Sequence, residues 1–280
     1  MARLKFLLAF FALLVCAAGV GGAYYYWKKF VEPEIILTRQ LEEKAKREKL
    51  DLGKRHFDQA VKLLEDGELV SARDRLLYLM EYFPESETYP DAKRIVGEVN
   101  MDLLVSDIPT PKKGVHEVSR GEALVTIARR NDTTIDYIMR ANGKTTSLIY
   151  PDEELLVYPL DFRVEIDLDD DRITVLDGEA FFKEYEIVGE NLPPEVRPPV
   201  STSIQEKVAW HLDRPVNFTD ENYLDCSKWI RTGKIGLFIR ARKPGDDEGD
   251  SRAFGVMVEK SDLEELFTIL RVGSRVNVVE

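Results

Sequence analysis

The sequence predicts a multidomain protein with four successive parts: an N-terminal transmembrane helix, an α-helical hairpin region, a compact βααβ module and a mainly-β domain. Three patterns predict this order. An uncharged run covers residues 6–27, apolar residues recur at helical spacing between residues 51 and 105, and apolar and polar residues alternate after residue 161. The 280 residues, 44% of them hydrophobic, suffice for two or three domains with buried cores, which excludes a chain that is disordered throughout.

The composition excludes several classes of function. The chain has 39 Lys and Arg against 51 Asp and Glu, a formal net charge of −12, whereas binding of nucleic acid requires clustered basic residues. We therefore expect no nucleic acid among its partners. Two cysteines, Cys16 and Cys226, and three histidines are too few for a zinc ribbon or a disulfide framework. We expect no metal, no cofactor and no structural disulfide.

Residues 1–30 are predicted to be a membrane anchor or a signal segment. The uncharged run over residues 6–27 has basic residues on both sides, and as a helix it would cross about 30 Å of hydrocarbon. Its last four residues, 24–27, are aromatic, which suits the headgroup layer. The membrane is therefore a predicted partner through residues 6–27. A cleaved signal peptide is the alternative, because residues 21–23 offer small side chains to a peptidase.

Residues 31–50 are predicted to form a charged helical linker, and residues 51–107 a helical region. Charged residues four apart in the linker are ordered favourably for a helix. In the helical region, apolar residues recur at helical spacing, and Gly67 and Pro84 bound the second run. The members of this pattern are Phe57, Ala60, Val61, Leu64, Leu69, Ala72, Leu76, Leu79, Met80, Ala92, Ile95, Val96, Val99 and Leu103.

The helical region resembles one tetratricopeptide unit, because Ala60, Ala72 and Pro84 recur at that repeat's spacing, although Leu79 stands where the repeat usually has a small residue. The resemblance implies a protein partner. An ordinary helical hairpin that acts as a spacer is the alternative.

A proline-containing linker, Asp107–Gly114, precedes the βααβ module at residues 116–159. Ser119 and Glu122 have the spacing of a capping box at the start of its first helix. The buried face of this helix is predicted to consist of Leu124, Ile127 and Ala128. A second helix is predicted from about Thr134, with a left-handed stop at Asn142-Gly143. Leu155–Tyr158 is predicted to form the closing strand.

The module resembles a LysM domain over its whole length, through H-x-V-x-x-G-E-A-L-x-x-I-A, I-x-x-I-x-x-A-N and P-D-E-x-L-x-V-Y-P. The resemblance implies binding of peptidoglycan glycan strands that contain N-acetylglucosamine. Ala123 and Pro151-Asp152 depart from the family's usual Thr and Gly-Gln, which removes one hydroxyl that could bind sugar. A LysM fold that acts only as a spacer is the alternative. The implied glycan-binding residues lie in two loops: Gly121, Glu122, Ala123, Leu124, Leu148, Ile149, Tyr150 and Pro151.

Residues 160–280 are predicted to be mainly β. Strands are expected at residues 164–168, 173–176, 181–187, 207–210, 229–231, 235–241 and 275–279. One helix is expected at residues 261–270, with a capping box formed by Ser261 and Glu264.

This segment resembles the catalytic domain of L,D-transpeptidases, in its opening F-R-V-E-I-D-L, in W-I-R-T-G-K-I-G-L-F-I and in D-L-E-E-L-F-x-x-L-x-V-G-S-R-V-x-V. In that family a histidine and the cysteine of S-x-G-C-x-R carry the reaction. Here Phe238 stands in the place of the histidine, Val256 follows Gly255 in the place of the cysteine, and Val258 stands near that of the arginine. None of these side chains can attack or titrate, so we expect an inactive relative with no catalytic residue.

A relocated nucleophile remains an alternative, because Cys226 follows His211 in the same domain. An inert thiol is the other interpretation. The acidic loop Lys243–Ser251 does not have the spacing of an EF-hand, and a solvated loop is expected.

Together the two resemblances imply a membrane-anchored protein of the bacterial cell envelope, with its soluble part in the periplasm or the cell exterior. It would bind peptidoglycan through the LysM module, with the inactive domain serving binding or scaffolding. One alternative is a wall-remodelling enzyme that uses Cys226. Another makes residues 51–105 the active part, with the LysM module localising it.

Overall fold

The computed structural model describes residues 21–22, 24–32, 34–39, 51–212, 214–243 and 254–279. It divides into two compact units, residues 1–52 and 53–280. In the first unit the described residues between 21 and 39 are helical, with one π-helical stretch at Trp27–Val31. None of the helices in the described part of the chain has the length and apolar character needed to cross a membrane.

Two N-terminal predictions fall largely on residues outside this description. The predicted span at residues 6–27 is described only at residues 21–22 and 24–27, and the predicted helical linker only at residues 31–32 and 34–39. Both stay predictions.

The second unit begins with three helices, which confirms the predicted helical region. They are α1 (Leu52–Glu65), α2 (Leu69–Tyr82) and α3 (Tyr89–Val105). Gly67, with a φ of +78°, makes the turn between α1 and α2, and α2 ends two residues before Pro84. The predicted apolar faces meet in one small core, whose fully buried members are Ala60, Leu76, Leu79, Ala92 and Val96. The tetratricopeptide resemblance stays a prediction.

The βααβ module has the predicted order: β1 (Gly114–Glu117), α4 (Leu124–Arg130), α5 (Ile135–Ala141) and β2 (Glu154–Val157). The strands β1 and β2 are antiparallel, with Val115 opposite Leu156. The Thr134 hydroxyl accepts a hydrogen bond from the Tyr137 amide at 2.9 Å and so caps α5. Gly143, with a φ of +60°, follows the end of α5, as the Asn-Gly pair predicted.

The predicted capping box at the start of α4 is half correct. The Glu122 carboxylate accepts a hydrogen bond from the Ser119 amide at 3.1 Å, but Ser119 is not the cap, because α4 begins only at Leu124 after Ala123. The cause is Gly121, whose φ of +76° turns the chain out of a helical path between Ser119 and α4.

A sheet of ten strands forms the rest of the unit, in the order β5-β4-β3-β12-β7-β9-β10-β11-β6, with β8 paired to β7. The long β7 continues the sheet by pairing with β12 through its first half and with β9 through its second, with a register shift near Ile204. The strands are β3 (Phe162–Asp167), β4 (Arg172–Asp177), β5 (Ala180–Glu186), β6 (Gly189–Asn191), β7 (Val200–His211), β8 (Arg214–Val216), β9 (Ser227–Thr232), β10 (Phe238–Ala241), β11 (Gly255–Val258) and β12 (Arg275–Val279).

Helix α6 (Lys260–Ile269) packs on β9 and β10, and its predicted apolar stripe is buried at Leu263, Leu266 and Phe267. The predicted capping box of Ser261 and Glu264 is wrong, because the helix already begins after Glu259. Glu264 instead pairs with Lys228 on β9.

The strand predicted at residues 235–241 begins only at Phe238. Gly236 has a φ of +83°, and its Cα approaches Pro193 so closely that a Cβ there would lie 2.3 Å from the proline Cγ. A turn therefore occupies Ile235 and Gly236, and Ile235 is 91% exposed.

The helical region, the module and the sheet pack as one body within residues 53–280. Asn100 of α3 donates a hydrogen bond to the Phe182 carbonyl on β5 at 2.7 Å. On the other side, Asp132 of the module accepts a hydrogen bond from Arg271 at 2.8 Å, after the end of α6. Even the predicted linker is held in place, since the Lys113 ammonium donates to three carbonyls, those of Leu103, Ser106 and Ile108.

Candidate functional site

The structure brings the two predicted glycan-binding loops of the module together. The Val118 amide donates to the Glu153 carbonyl at 2.9 Å, and the Asp152 amide donates to the Val118 carbonyl at 2.9 Å. The first loop therefore leaves the small sheet at the point where the second loop enters it. This adjacency follows from the antiparallel pairing of β1 with β2.

The side chains of the two loops fall into an exposed set and a supporting set. Leu148 is 57% exposed and Tyr150 is 61% exposed, although both carry large apolar groups. Leu124, by contrast, is a core residue at 2% exposure, and Ile149 packs against the same core. The members that face solvent are Gly121, Ala123, Leu148, Tyr150 and Pro151.

Glu122 acts as the internal support of the first loop. One carboxylate oxygen accepts hydrogen bonds from the Ser119 amide at 3.1 Å and from His116 Nε2 at 2.9 Å, and the other accepts from Arg130 at 2.8 Å. The hydrogen bond from His116, and then that from the Ser119 amide, lower the pKa of Glu122. Because its two oxygens tie the loop at Ser119 to His116 of β1 and to Arg130 of α4, Glu122 positions the loop.

Glu153 supports the second loop in the same way, and sequence reasoning missed it. Its carboxylate pairs with Lys144 at 2.6 Å and accepts a hydrogen bond from the Tyr150 amide at 3.0 Å. The hydrogen bond from Lys144 is the main cause that lowers the pKa of Glu153. Asp152, beside it, has a φ of +66°, a conformation that Asp tolerates better than most residues.

In the mainly-β domain, the positions that the L,D-transpeptidase resemblance predicts for the histidine and the cysteine lie on adjacent strands. Strands β10 and β11 are parallel, and Ile239 is opposite Val256. Both of these side chains are fully buried, and so is Val258. Since alternate residues of a strand face opposite sides of a sheet, Phe238 points away from the face that Val256 shares with Ile239. A side chain at 256 therefore could not meet one at 238.

The position that shares the face of Phe238 is Gly255. A Cβ there would lie 2.6 Å from the Phe238 carbonyl oxygen, and the φ of Gly255 is +131°. This backbone approach admits no side chain without a shift of the strand. The prediction from the sequence motif, that Val256 stands in the place of the cysteine, stays a prediction.

Cys226 has the environment of a structural thiol. It is 2% exposed, and its thiol donates to the Tyr223 carbonyl at 2.9 Å. Burial raises the pKa of Cys226, which is the opposite of the shift that activates a nucleophile. His211 lies at the end of β7, opposite Arg214 of β8. The predicted acidic loop is described only at Lys243.

Comparison with known proteins gives one match to a family model, that of the LysM domain, at residues 116–157. No curated protein has significant sequence similarity to the chain.

Among solved structures, the similar ones include three L,D-transpeptidases. The enzyme Yku from Stackebrandtia nassauensis is 16% identical, with 43% of this chain and 56% of that chain covered and a TM-score of 0.32. Mycobacterium tuberculosis L,D-transpeptidase 1 is 13% identical, with 46% and 68% covered and a TM-score of 0.31. An Enterococcus faecium L,D-transpeptidase is 19% identical, with 48% and 54% covered and a TM-score of 0.29.

This chain thus spans little more than half the length of the Stackebrandtia protein. Identities and TM-scores of this size imply no shared activity. The family model and the module's geometry agree, and the chain contains a LysM domain at residues 116–157.

Proposed function

We propose that this chain is a non-enzymatic protein of the bacterial cell envelope that binds peptidoglycan glycan strands through its LysM domain. The mainly-β domain serves as a binding or scaffolding surface and catalyses no transpeptidation. The N-terminal segment attaches the protein to the membrane, and the part after residue 30 lies in the periplasm or at the cell exterior. The observation that carries the proposal is the exposed pair of LysM loops.

The packing of the LysM domain supports this function. The domain packs on the mainly-β domain through α5 and the turn before it, where Asp136 of α5 accepts a hydrogen bond from Tyr223 at 2.8 Å and Asp132 of the turn pairs with Arg271. The loops that carry Leu148 and Tyr150 stay exposed in the packed body. Exposed apolar side chains on a rigid loop are typical of a binding surface.

The chemistry at the altered positions supports the absence of transpeptidation. Attack on a peptide carbonyl needs a nucleophile and a base within hydrogen-bond reach. Phe238 offers neither group, Gly255 has no side chain, and Val256 faces the core.

The alternative, a wall-remodelling enzyme that uses Cys226, is disfavoured by the raised pKa and the burial of that thiol. We expect the folded full chain to show no cross-linking activity, either before or after treatment with iodoacetamide. The same treatment should leave peptidoglycan binding unchanged. A cross-linking activity that alkylation abolishes, and that is absent from Cys226→Ala, would establish the alternative.

Co-sedimentation of the full chain with insoluble peptidoglycan tests the proposal. We expect Tyr150→Ala and Leu148→Ala each to weaken binding about ten-fold, which corresponds to about 1.4 kcal/mol. Val115→Ala is the matched control, because Val115 is 61% exposed on β1, just before the matched LysM segment, and lies outside the two loops. No binding by the unmodified chain, or equal loss in the control, would overturn the proposal.

A further inference from the structure

A groove of about 560 Å³ lies on the sheet face formed by β7, β9 and β10, outside the LysM domain. Three aromatic side chains, Trp210, Trp229 and Phe238, line it. Its volume lies within the range of about 300–1,000 Å³ that is typical of small-molecule sites, which are lined mainly by apolar and aromatic groups. We call it the aromatic groove.

The strand register places these side chains on one face. Trp210 lies opposite Ser227, and Val208 lies opposite Trp229. Lys228 and Ile230, the two neighbours of Trp229 on β9, point to the other face, where α6 covers the sheet and Ile230 is fully buried. The two tryptophans therefore stand side by side on the face away from α6.

The aromatic surface is held in place and remains accessible. Trp229 meets Phe238 edge to face, with ring centroids 5.8 Å apart at an angle of 69°. Trp210 is 39% exposed, and Leu212 at the rim is 87% exposed. Apolar groups of this size gain free energy when a ligand removes them from water.

One of the two cations that line the aromatic groove is already paired with an acidic side chain. Arg231 pairs with Glu206 through two nitrogens, Nη2 at 2.7 Å and Nε at 3.0 Å from the same carboxylate oxygen. The Lys243 ammonium lies 5.6 Å from the centre of the Trp229 ring. A carboxylate-rich ligand would have to compete with Glu206 for Arg231, whereas an uncharged polar ligand would not.

We propose that the aromatic groove binds uncharged N-acetylated sugar rings, as a second glycan subsite in addition to the LysM domain. The apolar C–H face of such a ring stacks on an indole, while its hydroxyl and amide groups hydrogen-bond to Ser227, Glu206 and Arg231. The inference rests on the proposed function, since both sites would bind the same glycan.

Tryptophan fluorescence reads this site separately from the LysM domain. The chain has three tryptophans, of which Trp27 lies near the N-terminus and the other two line the aromatic groove, so the LysM domain has none. The experiment titrates the full chain carrying Trp27→Phe with a soluble oligomer of N-acetylglucosamine. We expect a saturable change in emission.

Trp210→Ala should weaken the affinity measured from the remaining Trp229 emission about ten-fold, and Trp210→Phe should restore most of it. Tyr82→Ala is the matched control, because Tyr82 is a 58% exposed aromatic residue on α2. An unchanged melting temperature in each variant excludes loss of folding as the cause.

The proposals for the two binding sites can be refuted independently of each other. If the fluorescence titration shows no change while co-sedimentation still depends on Tyr150, sugar binding at the aromatic groove is refuted. The proposed glycan binding by the LysM domain is then unaffected. A saturable titration together with no effect of Tyr150→Ala on co-sedimentation would overturn the LysM function and support the groove. A response to a carboxylate-bearing peptide, with none to the sugar, would overturn the inference.

Discussion

Ile239 and Val256 are opposite each other on the parallel strands β10 and β11, and both side chains are completely buried. The pair defines the core side of the sheet at the positions predicted to replace the family's histidine and cysteine. Phe238, one residue earlier, necessarily lies on the other side. The nucleophile position suggested by the motif and the histidine position therefore cannot face each other in this chain.

Replacement of Val256 tests this geometry. In a full chain that lacks both native cysteines, Val256→Cys should leave a thiol that N-ethylmaleimide does not label until the protein unfolds, because the side chain faces the core. The substitution should lower the free energy of unfolding by about 1 kcal/mol. Ser227→Cys, on the exposed face of β9, is the control and should react quickly. Rapid labelling at position 256 in the folded protein would contradict the register.

Gly255→Ala should destabilise the protein by about 2 kcal/mol, since the residue has a φ of +131° and its added Cβ would lie 2.6 Å from the Phe238 carbonyl oxygen. Gly189→Ala on the neighbouring β6 is the matched control, because a Cβ there meets only Met257, at 3.6 Å. Urea unfolding measures both. An equal effect of the two substitutions would argue against the close approach at Gly255.

Glu122→Gln should weaken glycan binding although Glu122 lies beneath the loop surface. The lowered folded pKa of Glu122 means that its stabilising effect is present above the unfolded value, near 4.5, and is lost as the pH falls through the folded value. Melting temperatures measured from about pH 6 down to pH 3 should therefore fall less steeply in the variant than in the unmodified chain. An identical pH profile would show that the carboxylate charge does not hold the loop.

Lys183 joins the helical region to the sheet and α6. Its ammonium pairs with Glu98 of α3 at 2.9 Å and with Glu265 of α6 at 2.7 Å, and its side chain is 8% exposed. Lys183→Ala should lower the free energy of unfolding by about 2 kcal/mol. This loss is smaller than for a fully buried ion pair, because Glu98 is largely exposed. Lys54→Ala, which breaks the exposed pair with Asp58, should cost at most about 0.5 kcal/mol. Equal costs in urea unfolding would refute a role for Lys183 in the packing.

Local patterns predicted most of the elements correctly. The alternation at Val164 and Ile166 predicted β3, and the stripe at Leu263 and Leu266 predicted the buried face of α6. Helix starts were less predictable, because Ser119 and Ser261 have capping-box spacing while the neighbouring backbone places the first helical residue elsewhere.

The sequence by itself determined the order of elements, the LysM domain and the absence of a titratable side chain at Phe238 and Val256, because these follow from residue type and spacing. The tertiary structure decided which residues meet. The first glycan-binding loop meets the second, and Trp210 stands beside Trp229, only because strands that are separated in the chain pair in one register. A register shift of one residue reverses the face of every side chain, and long-range packing fixes that register.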